Sequence, residues 1–120
     1  MVARAVVVQA RAWLAADLAD TLAAEGVETI RADDGPDTLR LVATYEPEVV
    51  VVDLTLPPID GWCVLAALGN ELPGRRPEIV VKVADHRQAE RALRLGADAW
   101  TADDAQVVAA AGRLISAIAV

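Results

Sequence analysis

The chain has 120 residues, a formal net charge of −7, and 55% hydrophobic residues with no Phe. That is enough for one domain with an aliphatic core and too little for two. The negative charge and scarce aromatics argue against nucleic-acid binding, and no apolar run nears the roughly 20 residues of a membrane span.

Met1-Val2-Ala3-Arg4 runs straight into a strand-like segment, without the charged, apolar and cleavage-site regions of a signal peptide, so a cytoplasmic location is expected. The single cysteine, Cys63, supports neither an internal disulfide nor a structural zinc site and is read as core filler.

In chain order, Ala5 to Val8 is a β-branched run. A helical pattern follows from Ala12 to Glu25 with Leu14, Leu18 and Leu22 on one stripe, and Gly26 stops it. Val27 to Arg31 reads as a second strand. Asp33-Asp34-Gly35-Pro36 is a turn whose proline suits a helix start, and Leu39 and Val42 give that second helix an inner face. Glu48 to Asp53 carries four consecutive valines, as expected of a strand covered on both faces. After the irregular Pro57-Pro58-Ile59-Asp60-Gly61, helical spacing resumes from Trp62 to Gly69 and is interrupted at Pro73-Gly74. Ile79 to Val83 is a fourth strand, His86 to Leu95 a fourth helix ending at Gly96, and Asp98 to Thr101 a fifth strand. Asp104 to Ile118 is a fifth helix, with Val107, Val108, Ala111, Leu114, Ile115 and Ile118 at helical intervals.

The sum is one (βα)5 domain spanning residues 1–120. Short links between alternating strands and helices imply a doubly wound, five-stranded parallel sheet with helices on both faces, a flavodoxin-like three-layer sandwich. In such a sheet ligands bind beyond the carboxyl ends of the strands, near the topological switch point. Those ends are Gln9-Ala10, Asp53, Lys82-Val83 and Thr101 to Asp103. By position alone, Asp53 suits a turn-capping role as well as a functional one.

The segment from Val50 through Asp53, Leu54 and Thr55 to Pro57-Pro58-Ile59-Asp60-Gly61 closely resembles the phosphoacceptor strand and following loop of response-regulator receiver domains of the CheY-like type. Ala32-Asp33-Asp34-Gly35 and Gly96-Ala97-Asp98-Ala99-Trp100 extend the resemblance along essentially the whole chain. It implies a bacterial two-component or phosphorelay signalling module and places Asp53 at the phosphoacceptor.

The resemblance also marks departures. The family carries two acidic residues after its first strand, where this chain has Gln9 and Ala10. Magnesium needs hard oxygen ligands, so losing two of three acids predicts weak or absent binding, with no other cofactor expected. The family's fifth-strand lysine becomes Asp103, which repels phosphate, and its fourth-strand hydroxyl becomes Lys82 or Val83, depending on the residue used as anchor. Phosphoryl transfer depends on positioning and on cations that spread charge, and little of that remains.

Lys82 is the only lysine and interrupts an apolar run, where a buried ammonium needs a partner. An ion pair with Asp53 is expected, with snorkelling into solvent as the alternative. Trp100 stands at the family's aromatic switch position and is read first as a plug between the last two helices. Trp13 and Trp62 either wall the pocket or cover core, with core packing the default. Arg87, Arg91 and Arg94 form a charged stripe that is ordinarily a solvated face. The resemblance adds a second reading, a docking or homodimer surface on the fourth helix, fifth strand and fifth helix, with Asp98, Asp103 and Asp104 as opposing charge. His86, without a partner histidine or a serine arrangement, is expected to face solvent.

These features predict a non-enzymatic pseudo-receiver that signals by contact with a protein partner, whether a sensor kinase, an output domain or another regulator. A working receiver phosphorylated slowly on Asp53 is the alternative. A flavodoxin-like small-molecule binder is more remote, because no glycine-rich phosphate cradle follows the first strand.

Overall fold

A computed structural model describes residues 3–8, 12–24, 26–32, 35–55, 61–70 and 77–103, together with Gln106, Ala109 and Arg113. Strands β1 (Ala3–Val8), β2 (Val27–Ala32), β3 (Val49–Asp53), β4 (Glu78–Lys82) and β5 (Ala99–Thr101) alternate with helices α1 (Ala12–Ala24), α2 (Gly35–Tyr45), α3 (Gly61–Asn70) and α4 (His86–Arg94). All strand pairs are parallel, in the order β2-β1-β3-β4-β5. This is the expected doubly wound sheet. Gln106, Ala109 and Arg113 are helical, while the rest of the predicted fifth helix lies outside the described residues.

Both central strands are apolar throughout their buried lengths. Ala5 to Val8 and Val49 to Val52 are at most 3% exposed, as a strand sandwiched between two helical layers requires. Leu41 and Val42 of α2, Val64, Leu65 and Leu68 of α3, and Ala89 and Ala92 of α4 join Val50, Val52, Ile79 and Val81 in one core cluster. Gly26 ends α1 with φ of +79°, a conformation that a side chain would strain.

Two polar arrangements tie the amino ends of the strands. The Glu48 carboxylate accepts from the Arg4 amide, and the Arg4 guanidinium lies 5.7 Å from the Tyr45 ring centroid. Asp98 accepts from the Ile79 amide at 2.8 Å and its own amide returns a bond to the Ile79 carbonyl, which aligns β5 with β4.

Helix α4 begins with a reciprocal cap. The Asp85 carboxylate accepts from the Gln88 amide at 2.9 Å, while the Gln88 side-chain oxygen accepts from the Ala84 amide at 2.8 Å, so two amide donors at the helix entry are satisfied.

The structure corrects the reading of Cys63, which is exposed. Gly61, Val64, Leu65 and Leu68 occupy the inward stripe of α3, and helical phase turns Cys63 away from them. Gly61, expected in the irregular loop, is instead the first residue of α3.

Candidate functional site

The strand order reverses direction between β1 and β3, so the crevice of a doubly wound sheet lies beyond their carboxyl ends. Asp53 closes β3 there and is 4% exposed. In the parallel register Asp53 stands beside Lys82, and Lys82 beside Thr101. Register partners project to the same side of a sheet, which sets an acid, an ammonium and a hydroxyl in a row across three strands.

Thr55 completes a tight turn after the strand. Its amide and its hydroxyl both donate to Asp53 Oδ1, at 2.8 and 2.6 Å. Short polar side chains commonly bond the backbone two residues on in this way. Here the result is a carboxylate oxygen that already accepts two hydrogen bonds.

Lys82 is half-buried, and its carbonyl accepts from the Leu54 amide at 2.9 Å, which draws the chain beyond Asp53 toward β4. Val83 is fully buried, and its amide bonds the Thr101 carbonyl at 2.9 Å. Thr101, one of the strand-end residues marked by the sequence, is a buried hydroxyl at the end of β5. It accepts from the Asp103 amide at 3.1 Å and donates to the Asp103 carbonyl at 3.3 Å, fixing the turn on which the exposed Asp103 sits. Its alignment with Lys82 was the available signal, hidden by uncertainty in strand register.

The structure therefore brings Asp53, Thr55, Lys82, Val83 and Asp103 to one end of the sheet. Gln9, Ala10 and Asp104 lie outside the described residues. Among the described residues no cluster of three His, Cys, Asp or Glu side chains is placed to hold a metal ion.

The fifth helix, one wall of the gap that Trp100 is expected to plug, lies largely outside the described residues. Trp100 is 37% exposed, and its ring meets the His86 imidazole edge-on, with centroids 5.2 Å apart and planes at 74°. The residue next to a buried strand terminus faces the other side of the sheet, which turns this ring toward the first residue of α4. His86 is exposed, as expected. Arg87, Arg91 and Arg94 are all exposed, as a solvated stripe requires. Arg91 also lies over the half-buried Trp62, with its guanidinium 4.4 Å from the ring centroid. The Asp98 side chain is engaged with Ile79 at the opposite end of β4 from Lys82, so it serves strand alignment.

Comparison with known proteins agrees with this geometry. The response regulator receiver domain family matches residues 5–109. A protein-glutamate methylesterase/protein-glutamine glutaminase of Symbiobacterium thermophilum is 37% identical over 101 residues, covering 78% of this chain and 27% of that protein. The transcriptional regulatory protein KdpE of Mycobacterium tuberculosis is 37% identical over 78 residues, covering 64% of this chain and 34% of KdpE. The chain thus spans about a third or less of the length of these curated relatives. Among solved structures, the signal receiver domain of a Bermanella marisrubri response regulator superposes with a TM-score of 0.83 at 24% identity, covering 96% of this chain and 99% of that one. The chemotaxis response regulator CheY4 of Vibrio cholerae gives 0.78 at 17% identity, covering 95% and 99%. These likenesses establish the fold.

The chain belongs to the response regulator receiver domain family. It is a receiver domain of two-component signalling, a class that is generally non-enzymatic and works through contacts with kinases and output domains. Among the described residues no helix is long and apolar enough to cross a membrane.

Proposed function

We infer that this receiver acts as a pseudo-receiver, an interaction module whose state is set by a protein partner and not by magnesium-dependent phosphorylation. The observation that carries this reading is the company kept by Asp53. Its Oδ1 is occupied by two donors from Thr55, and its neighbour on β4 is an ammonium-bearing residue. The sequence supplies an amide and a methyl group at Gln9 and Ala10, and an acid at Asp103. That donor set does not fit a divalent ion that demands octahedral oxygen coordination.

In this reading Lys82 forms an ion pair with Asp53, the ammonium standing where cationic charge would otherwise enter. A charge pair at the closed end of a sheet holds the pocket in one arrangement, and the partner engages outside it. The partner is a sensor kinase, an output domain or another regulator, and a homodimer through α4, β5 and the segment that follows is a further form of the same contact.

The second reading, slow phosphorylation on Asp53, draws support from the retention of a buried carboxylate at the end of β3. Titration with magnesium and beryllofluoride, followed by tryptophan fluorescence, separates the two. The pseudo-receiver is expected to give no saturable change at millimolar magnesium. Saturation, or a gain of one phosphoryl mass after incubation with a small-molecule phosphodonor, would establish the second reading.

A further inference from the structure

Lys82 is the only lysine in the chain, and every other strongly basic side chain is an arginine. A guanidinium stays protonated, whereas a lysine amine becomes a nucleophile once it gives up a proton. Side-chain amine chemistry is therefore confined to one position. That position is the last residue of β4, at the carboxyl edge where doubly wound sheets gather their ligands. Val81 and Val83 on either side are sealed in the core, while Lys82 is only half-buried and within reach of a small reagent.

Its register neighbours are the buried Asp53 and Thr101, so a change of charge at Lys82 acts on a carboxylate withdrawn from water. Charges act more strongly on one another there than in bulk solvent. Acylation turns the ammonium into a neutral amide and deletes one positive charge. Phosphorylation of a carboxylate at the same place would add about one negative charge. The two modifications move the net charge of the pocket by the same step, in the same direction.

We propose that Lys82 is a covalent acylation site and that loss of its charge is the switch of this pocket. The proposal rests on the pairing of Lys82 with Asp53 in the pseudo-receiver reading. An acyl thioester is the donor class that fits, because the exposed Asp103 at the same end of the sheet repels a donor carrying phosphate. The ammonium gives one proton to solvent, and the amine lone pair attacks the acyl carbon. The carbon–sulfur bond breaks with its electron pair on sulfur, and a second nitrogen proton leaves with the thiol. The product is an amide that keeps one N–H.

Incubation of the full chain with a small neutral acetyl thioester tests it. Hydroxylamine treatment then strips any thioester formed on the exposed Cys63 and spares an amide. Peptide masses are expected to place one acetyl group on Lys82, and the acetylated chain is expected to melt about 4 °C lower, the scale of losing a part-exposed charge pair. In Asp53→Asn, which leaves no carboxylate to neutralise, acetylation is expected to leave Tm unchanged. Lys82→Gln is expected to copy the acetylated Tm and Lys82→Arg the wild-type one. The proposal is overturned if Lys82 stays unmodified in the folded chain under conditions that acetylate it in urea, if neither acetylation nor Lys82→Gln lowers Tm, or if the fall persists undiminished in Asp53→Asn. Should Asp53→Asn fail to fold, Lys82→Gln against Lys82→Arg decides alone. Absence of the acetyl group sinks this proposal and leaves the pseudo-receiver reading standing, whereas a phosphoryl mass on Asp53 in the phosphodonor experiment sinks both.

Discussion

The β3 strand and α4 solve the same problem, attachment to the domain, in opposite ways. Every residue of β3 from Val49 to Asp53 is buried, and its backbone is paired on both sides, by β1 and β4. Among the described residues, helix α4 buries two alanines and is met by a cap and two ring contacts. Cooperative burial is expected to make the strand part of the last structure to open, and a helix with few buried apolar side chains to open at lower cost. The site sits at the carboxyl end of the fully buried element.

Three substitutions sharpen that contrast. The largest effect is expected from Asp53→Ala, which strands Lys82 if the two are paired. Breaking such a pair costs about 3–5 kcal/mol, and calorimetry should show a clear fall in Tm shared by the whole molecule. A Tm equal to that of the wild type would remove the pair from the account of the pocket. Gly61→Ala comes next. The added methyl meets Leu54, Val52 and the Asp53 carbonyl, and overpacking of this kind costs about 1–3 kcal/mol, readable as a lower denaturant midpoint. The smallest belongs to α4, where Asp85→Ala deletes the cap on the Gln88 amide at a cost of about 1 kcal/mol. Its signature is local, with faster exchange in the first turn of α4 and little change in β3. Uniform acceleration of both would erase the distinction between the two regions.

Much of the sheet was legible because buried parallel strands leave an unambiguous trace. Four consecutive valines ending in Asp53 identify β3, and the observed bounds differ from the expected ones by one residue. β1 and β5 shifted slightly, since strand ends carry no residue type of their own. The site was partly legible for a related reason. Asp53 and Thr55 are two apart, so their contact is local, and Lys82 betrayed itself by interrupting an apolar run.

What escaped depends on phase and on contacts between elements. Cys63 is read as core filler because no disulfide or metal cluster claims it, but one residue of helix turns a side chain through about 100°, and here that carries the thiol outside. Trp100 meets His86 fourteen positions earlier, a contact between elements that no local spacing marks. Arg91 belonged to a stripe that is indeed exposed, while its place over Trp62 depends on how α3 and α4 approach each other. No pattern within either helix encodes that approach. Thr101 shows the same limit, because its alignment with Lys82 is a property of register between strands.

The outward turn of Cys63 has a practical consequence. It is the chain's single thiol and adjoins Trp62, so a maleimide dye or nitroxide attached there would report from the α3 surface without any engineered cysteine. A spectroscopic ruler from that point to a second label on α4 would record the separation of the two helices in solution, in the native sequence context on the α3 side.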